Sequence, residues 1–159
     1  MDKVQKLARQ LKEKGYIDCK KGKSRSIRLT VGNMPLHGVI QAGYVEEQPV
    51  DIPNYIDVSG TQYTSKDYAL KVQGDSMVGA HICAGDFVIL RPVKQIDELK
   101  QGTITAVWVE GEGTTLKHLY VQGGTVRLEA ANGKYPAQTF DSDQVRPQGF
   151  LIGLHRSYD

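Results

Sequence analysis

A chain of 159 residues, 40% hydrophobic and 24% charged, has the make-up of one soluble globular domain with a small appendage, which excludes a collagen, a disordered tail and a two-domain enzyme. No apolar run approaches the ~20 residues that cross a bilayer, and the amphipathic start lacks the unbroken apolar stretch of a signal peptide, so the expected location is the cytoplasm, with no membrane contact. The net charge of +2 conceals an asymmetry: residues 1–28 hold ten Lys/Arg against three acids, a surplus of +7, and the other 131 residues carry −5. Such a segment is either an arm that meets a polyanion or a solvated basic face.

From the N-terminus, Val4, Leu7, Ala8 and Leu11 recur at i, i+3, i+4 and i+7, which predicts an amphipathic helix over residues 3–14 with Gly15 as its stop. Tyr16–Cys19 and Ile27–Val31 read as short strands around a tip that carries Lys20, Lys21, Lys23 and Arg25. Helix followed by basic hairpin has the form of the back half of a winged helix. Residues 32–55, with Gly32, Gly38, Gly43, Pro35, Pro49 and Pro53, read as a linker with some extended structure. Beyond them lie short β-runs at Tyr68–Val72, Phe87–Leu90, Ile104–Val109, Thr114–Tyr120, Thr125–Ala130 and Phe150–Leu154, separated by Gly-rich or charged turns. With no helical pattern between them, they predict a compact antiparallel β domain.

Nucleotide-binding and metal motifs are absent from the sequence, and the four histidines, His37, His81, His118 and His155, are scattered without ligand spacing. Cys19 and Cys83 read as free thiols. No metal and no cofactor is therefore expected. Two places can carry chemistry. In Val72-Gln73-Gly74-Asp75-Ser76-Met77 a strand runs into a glycine and then a serine. Such a serine either presents its hydroxyl beside a backbone N–H, as a nucleophile with an oxyanion site requires, or is a turn serine that caps a helix. In Thr114–Tyr120, strand alternation sends Thr115, Lys117 and Leu119 to one face. A lysine beside leucine either loses its hydration, which lowers its pKa and leaves an amine able to take a proton, or reaches out to water.

These residues carry a resemblance. Val72–Met77, the following Ala84-Gly85-Asp86 and Thr115-Leu116-Lys117-His118 resemble the serine and lysine boxes of the LexA-type self-cleaving repressors, the S24 peptidase family. The 41 residues between Ser76 and Lys117 suit that family, and Ala42-Gly43 stands 34 and 33 residues before Ser76, where its scissile Ala-Gly bond is expected. Gly15-Tyr16-Ile17-Asp18 and Ser24–Leu29 are similar to the turn and wing of the family's DNA-binding domain. The likeness covers essentially the whole chain. His118 and Leu116 stand where the family often has Arg and Val, a mild departure.

The resemblance implies a mainly β, signal-peptidase-like catalytic domain preceded by a partial winged helix. The domains expected are a partial winged-helix domain over 1–31, a linker and cleavage segment over 32–50, and a self-peptidase and dimerisation domain over 51–159. It implies that Ser76 is the nucleophile, Lys117 the general base, Ala42-Gly43 the bond cut, and the backbone N–H groups of Asp75 and Ser76 the oxyanion hole. The function implied is repression of DNA-damage (SOS) genes, ended when a RecA filament on single-stranded DNA stimulates self-cleavage. Operator DNA is the expected partner, through Lys20, Lys21, Lys23 and Arg25. Because Met1 falls near the start of the recognition-like helix, the expected operator binding of these 159 residues is weak or lost. A homodimer through Phe150–Leu154 is also expected. The alternative is a UmuD-like self-processing accessory subunit of a lesion-bypass polymerase, which shares the β domain without a winged helix; the wing-like Ser24–Leu29 favours the repressor.

Overall fold

The computed structural model describes residues 3–13, 17–19, 27–29, 33–41, 44–46, 55–58 and 63–158. In chain order these include helix α1 (Lys3–Glu13) and strands β1 (Ile17–Cys19), β2 (Ile27–Leu29), β3 (Asn33–Gln41), β4 (Tyr44–Glu46), β5 (Tyr55–Asp57) and β6 (Tyr68–Val72). They continue with β7 (Phe87–Pro92), β8 (Thr103–Val109), β9 (Gly113–Gln122), β10 (Thr125–Glu129), β11 (Gln138–Asp141) and β12 (Val145–His155). Single turns of 3-10 helix lie at Val78–Ala80, Ile96–Glu98 and Ser142–Gln144.

Helix α1 follows the apolar spacing of its sequence, and Arg9 Nε bonds Glu13 Oε1 at 3.0 Å one turn on. Val4 and Leu7 of its apolar stripe stand exposed. β1 and β2 pair antiparallel, with Ile17 opposite Leu29 and Cys19 opposite Ile27. Lys20, Lys21, Lys23 and Arg25 lie outside the described residues, as do Ala42 and Gly43.

The other ten strands make one sheet in the order β11-β10-β9-β8-β12-β7-β6-β3-β4, with β5 beside β3. The mainly β fold expected from the sequence is therefore the fold observed. β7 shows why the sheet closes over several cores. Its Val88 and Leu90 pack with Leu70, Met77, Ile82, Ala106 and Leu116, whereas Ile89 points the other way, against Met34, Leu36, Ile56 and Ala69. A strand covered on both faces reads as an unbroken apolar run, and Phe87–Leu90 is one. A third cluster joins Val107, Val109, Leu119, Val126, Leu128 and Val145.

Several elements differ from the sequence reading, among them β4 and β5, which it did not name as strands. Residues 33–41, expected within the linker, form a nine-residue strand that pairs parallel with β6, Ile40 beside Val72, because Met34 and Leu36 are buried in the sheet's core. β11 is absent from the expected strands; its Gln138-Thr139-Phe140-Asp141 is an edge strand with a single apolar residue, too weak a pattern to see. β12 begins five residues before the expected Phe150; it pairs with β8 from Val145 to Phe150 and has β7 on its other side from Gly149. From Leu151 to His155 it pairs with β7, and its opposite edge has no strand among the described residues.

The C-terminal end of β12 is tied to the loop between β6 and β7. Arg156 Nε and Nη2 bond the Asp86 carboxylate at 2.6 and 2.7 Å, and Nη2 also bonds the His81 carbonyl at 3.0 Å. Asp86 further accepts the Cys83 N–H at 2.7 Å. The Arg156 guanidinium holds the Asp86 carboxyl below the usual carboxylate range against the opposing effect of its burial. The stability this contributes is full above the ordinary aspartate range and lost as pH falls through the lowered value. Arg156→Ala leaves a buried, unpaired carboxylate, whereas Asp86→Ala leaves a guanidinium that is a third exposed. Urea unfolding at neutral pH is expected to show a larger loss of stability for Arg156→Ala than for Asp86→Ala.

Candidate active site

β6 ends at Val72, and the chain then turns through Gln73, Gly74, Asp75 and Ser76 before the short helix Val78–Ala80. Gly74 has φ +85°, a left-handed conformation that glycine adopts without strain, and this bend lifts the serine out of the strand. The loop is closed at its base, where Val72 N–H bonds Asp86 O and Gly85 N–H bonds Val72 O, both at 2.8 Å. Met77, next to the serine, is buried and pins the turn to the core under β6 and β7. Gly79 N–H bonds Ala131 O at 2.6 Å, an approach so close that a Cβ on residue 79 would sit 2.4 Å from that oxygen.

Lys117 comes from β9, where a strand supplies an inward position every second residue. It is 8% exposed, and its amine touches three oxygens: Ser76 Oγ at 3.1 Å, Thr115 Oγ1 at 2.8 Å and the Leu116 carbonyl at 3.1 Å. Burial pushes the amine below the ordinary lysine range, and the charge of Glu112 opposes that shift only in part. Two residues 41 apart in sequence are thus in hydrogen-bond contact. The protonated amine can donate to all three oxygens. The neutral amine has two N–H groups, which suit Thr115 Oγ1 and Leu116 O, and a lone pair left to accept the Ser76 hydroxyl proton. Thr115 was placed on the lysine's face by alternation, but its bond to the amine was not anticipated.

Among the described residues, the N–H of Ser76 has no acceptor, whereas the N–H of Asp75 bonds its own carboxylate. Behind them, Asn132 Nδ2 bonds the Asp75 carbonyl at 2.9 Å, and Lys134 Nζ and the Tyr135 hydroxyl bond the Asp75 carboxylate. The Tyr135 hydroxyl, first, and then Lys134 hold that carboxyl below its usual range. Among the described residues, no three His, Cys, Asp or Glu side chains gather as a metal site, and no helix is long and apolar enough to cross a membrane. The four basic residues of the hairpin tip and the Ala42-Gly43 bond lie outside the described residues. Their flanks are placed: Gln41 of β3 pairs with Tyr44 of β4, and both strands approach β9, which carries Lys117.

A family model described as Peptidase S24-like matches residues 35–152, three quarters of the chain and all of this site. The chain belongs to the S24 peptidase family. Its S24 relatives include the LexA repressor of Thermotoga neapolitana, 38% identical over 154 residues that make up 94% of this chain and 72% of the relative. The LexA repressor of Thermotoga maritima is 36% identical over 92% of this chain and 75% of its own length. The transcription regulator LexA of Synechocystis is 30% identical over 98% of this chain and 78% of its own. The matched share of this chain, 92–98% in these relatives, is larger than the stretch the family model covers and so reaches into the residues before 35.

The crowding at Gly79 gives this S24 site a direct test. Gly79→Ala forces a methyl group against a backbone carbonyl that cannot rotate away, and such overpacking costs about 1–3 kcal/mol. A thermal melt is expected to show a lowered Tm, where the same exchange at an open glycine such as Gly133 produces no clash.

Proposed function

We propose that this chain is a LexA-type repressor of DNA-damage genes that inactivates itself by cutting its own Ala42–Gly43 bond. The observation that carries the reading is the 3.1 Å contact between Ser76 Oγ and the buried amine of Lys117. In the first step, neutral Lys117 takes the Ser76 hydroxyl proton as Oγ attacks the Ala42 carbonyl carbon. The oxygen of the tetrahedral intermediate gathers negative charge and meets the N–H groups of Asp75 and Ser76. Collapse breaks the C–N bond, and the Lys117 ammonium returns its proton to the Gly43 nitrogen, which leaves as a free amine. Ser76 is then an ester of Ala42. Water, deprotonated by Lys117, hydrolyses that ester to a carboxylate and restores the serine.

A buried amine suits this chemistry because, unlike imidazole, it needs no third residue to fix a tautomer. It must only shed its proton, and burial assists that. Cleavage within one chain is effectively unimolecular, so a weakly activated serine suffices. The parallel register of β3 and β6 supports the choice of bond: both strands run toward the same end of the sheet, Ile40 lies beside Val72, and Ala42 and Ser76 follow. The small side chains of Ala42 and Gly43 favour close approach.

The larger assignment rests on the resemblance and on the LexA relatives, which cover the helix and hairpin that the UmuD-like alternative lacks. In this reading residues 1–31 contribute to DNA contact through Lys20, Lys21, Lys23 and Arg25, residues 32–50 link and are cut, and residues 51–159 cleave and dimerise. The setting is the cytoplasm. A RecA filament on single-stranded DNA favours the docked cleavage segment, and the cut separates DNA contact from dimerisation, so the avidity for a two-fold operator is lost.

Incubation at neutral to alkaline pH with intact-mass readout tests the chemistry. The expected fragments end at Ala42 and begin at Gly43, and both Ser76→Ala and Lys117→Ala abolish them. The rate climbs with pH as the amine deprotonates and levels off below the ordinary lysine pKa of about 10.4. A chain that stays intact at every pH, with RecA filament added, overturns the proposal. The dimer is tested separately. The open edge of β12 at Leu151–His155 can pair with a second copy, so sedimentation is expected to show a concentration-dependent dimer that a proline at Ile152 weakens.

A further inference from the structure

The loop between β10 and β11 touches the serine turn at every position from 131 to 135 except Gly133, and none of those contacts is to Ser76 or Lys117 themselves. We propose that Asn132 is a positioning residue for the oxyanion site, holding the Asp75–Ser76 peptide plane so that the Ser76 N–H faces the reacting carbonyl. This rests on the reading of Ser76 as nucleophile given above.

The argument is one of rigid geometry. The carbonyl of Asp75 and the N–H of Ser76 belong to one planar trans peptide unit and point in opposite directions. A donor that grips the oxygen therefore aims the N–H. Asn132 Nδ2 grips it at 2.9 Å, closer than the only other donor to that oxygen among the described residues, Val78 N–H at 3.3 Å. Asn132 is itself fixed, because its Oδ1 accepts the Lys134 N–H at 3.1 Å, which also settles which end of the side-chain amide donates. Nearby, Ala131 O takes the Gly79 N–H, so the same loop secures the turn on both sides of Ser76. Lys134 and Tyr135 reach only the carboxylate of Asp75, whose rotation about its own side-chain bonds leaves the peptide plane free. Asn132 alone in this loop acts on the plane that carries the donor. An oxyanion donor helps only if it is aligned before charge develops, so a loose plane costs rate without altering the serine or the lysine.

Asn132→Asp separates this role from support of the loop. It keeps an oxygen for the Lys134 N–H and removes the donor to Asp75 O; Asn132→Ala removes both. Self-cleavage rates are measured across pH by intact mass, beside thermal melts and the Tyr135→Phe variant. Both Asn132 variants are expected to lower the alkaline plateau ten- to hundredfold, with a larger loss than in Tyr135→Phe, and the uncharged Asn132→Ala leaves the midpoint of the pH profile unmoved because Lys117 is untouched. Asn132 is only partly buried, so both variants fold. A wild-type plateau in Asn132→Asp, a shifted midpoint in Asn132→Ala, or an equal loss in Tyr135→Phe overturns the inference. If the unaltered chain fails to cleave even with RecA filament, the dyad reading falls first and takes this with it.

Discussion

An amine largely withdrawn from water sets the terms for the rest of this molecule. Lysine on a strand ordinarily extends its stem along the surface and leaves its charge in solvent. Lys117 instead ends among a threonine hydroxyl, a carbonyl and Ser76 Oγ, with no carboxylate in ion-pair contact among the described residues. Burying a cation this way is unfavourable, and the protein offsets the cost by giving the group oxygens to bond and by letting it be neutral. The same burial that opposes stability makes the amine easier to deprotonate, and so more available as a base.

Such an arrangement functions only if the serine is held where the amine is. The turn that carries it is short and surface-facing, the kind of segment that would otherwise move, and the fold restrains it from several directions. Met77 anchors it in the core, Val72 and Gly85 close its base, Asp86 and Arg156 tie its far end to the last strand, and the 131–135 loop supports its back. These restraints come from β6, β7, β10 and β12, so the precision of the site is a property of the whole sheet.

What could be read from the sequence was local. At Ser76 a glycine at a strand end announces a turn, and at Lys117 alternation places the lysine with Leu119; each pattern left two readings open, and the resemblance joined the two residues as one candidate site. Apart from β11 and the first part of β12, the strands from Tyr68 onward were legible from their apolar runs, and β6 falls where its residues predict. β3 was hidden because Gly38 and Pro35 signal a loop, and only the burial of Met34 and Leu36 against distant strands makes their segment a strand. Asn132 and Asp75 are 57 residues apart, and Arg156 and Asp86 are 70 apart. Nothing local to either partner marks such contacts, since each is chosen by how strands are ordered in the sheet.

The place of β3 in that sheet bears on what happens after a cut. Residues 33–41 are built in: they hydrogen-bond to β6 on one side and to β4 and β5 on the other, and they bury Met34 and Leu36 beside Ile56, Ala69 and Ile89. Severing the chain after Ala42 removes a covalent link and leaves those non-covalent ones standing. The N-terminal piece is then a bound strand, and its departure is a dissociation with its own lifetime, governed by the buried apolar area and the ladder it must peel away. Hydrolysis and parting become two separate events, and the slower of them determines how long the halves of a cut molecule continue to act as one.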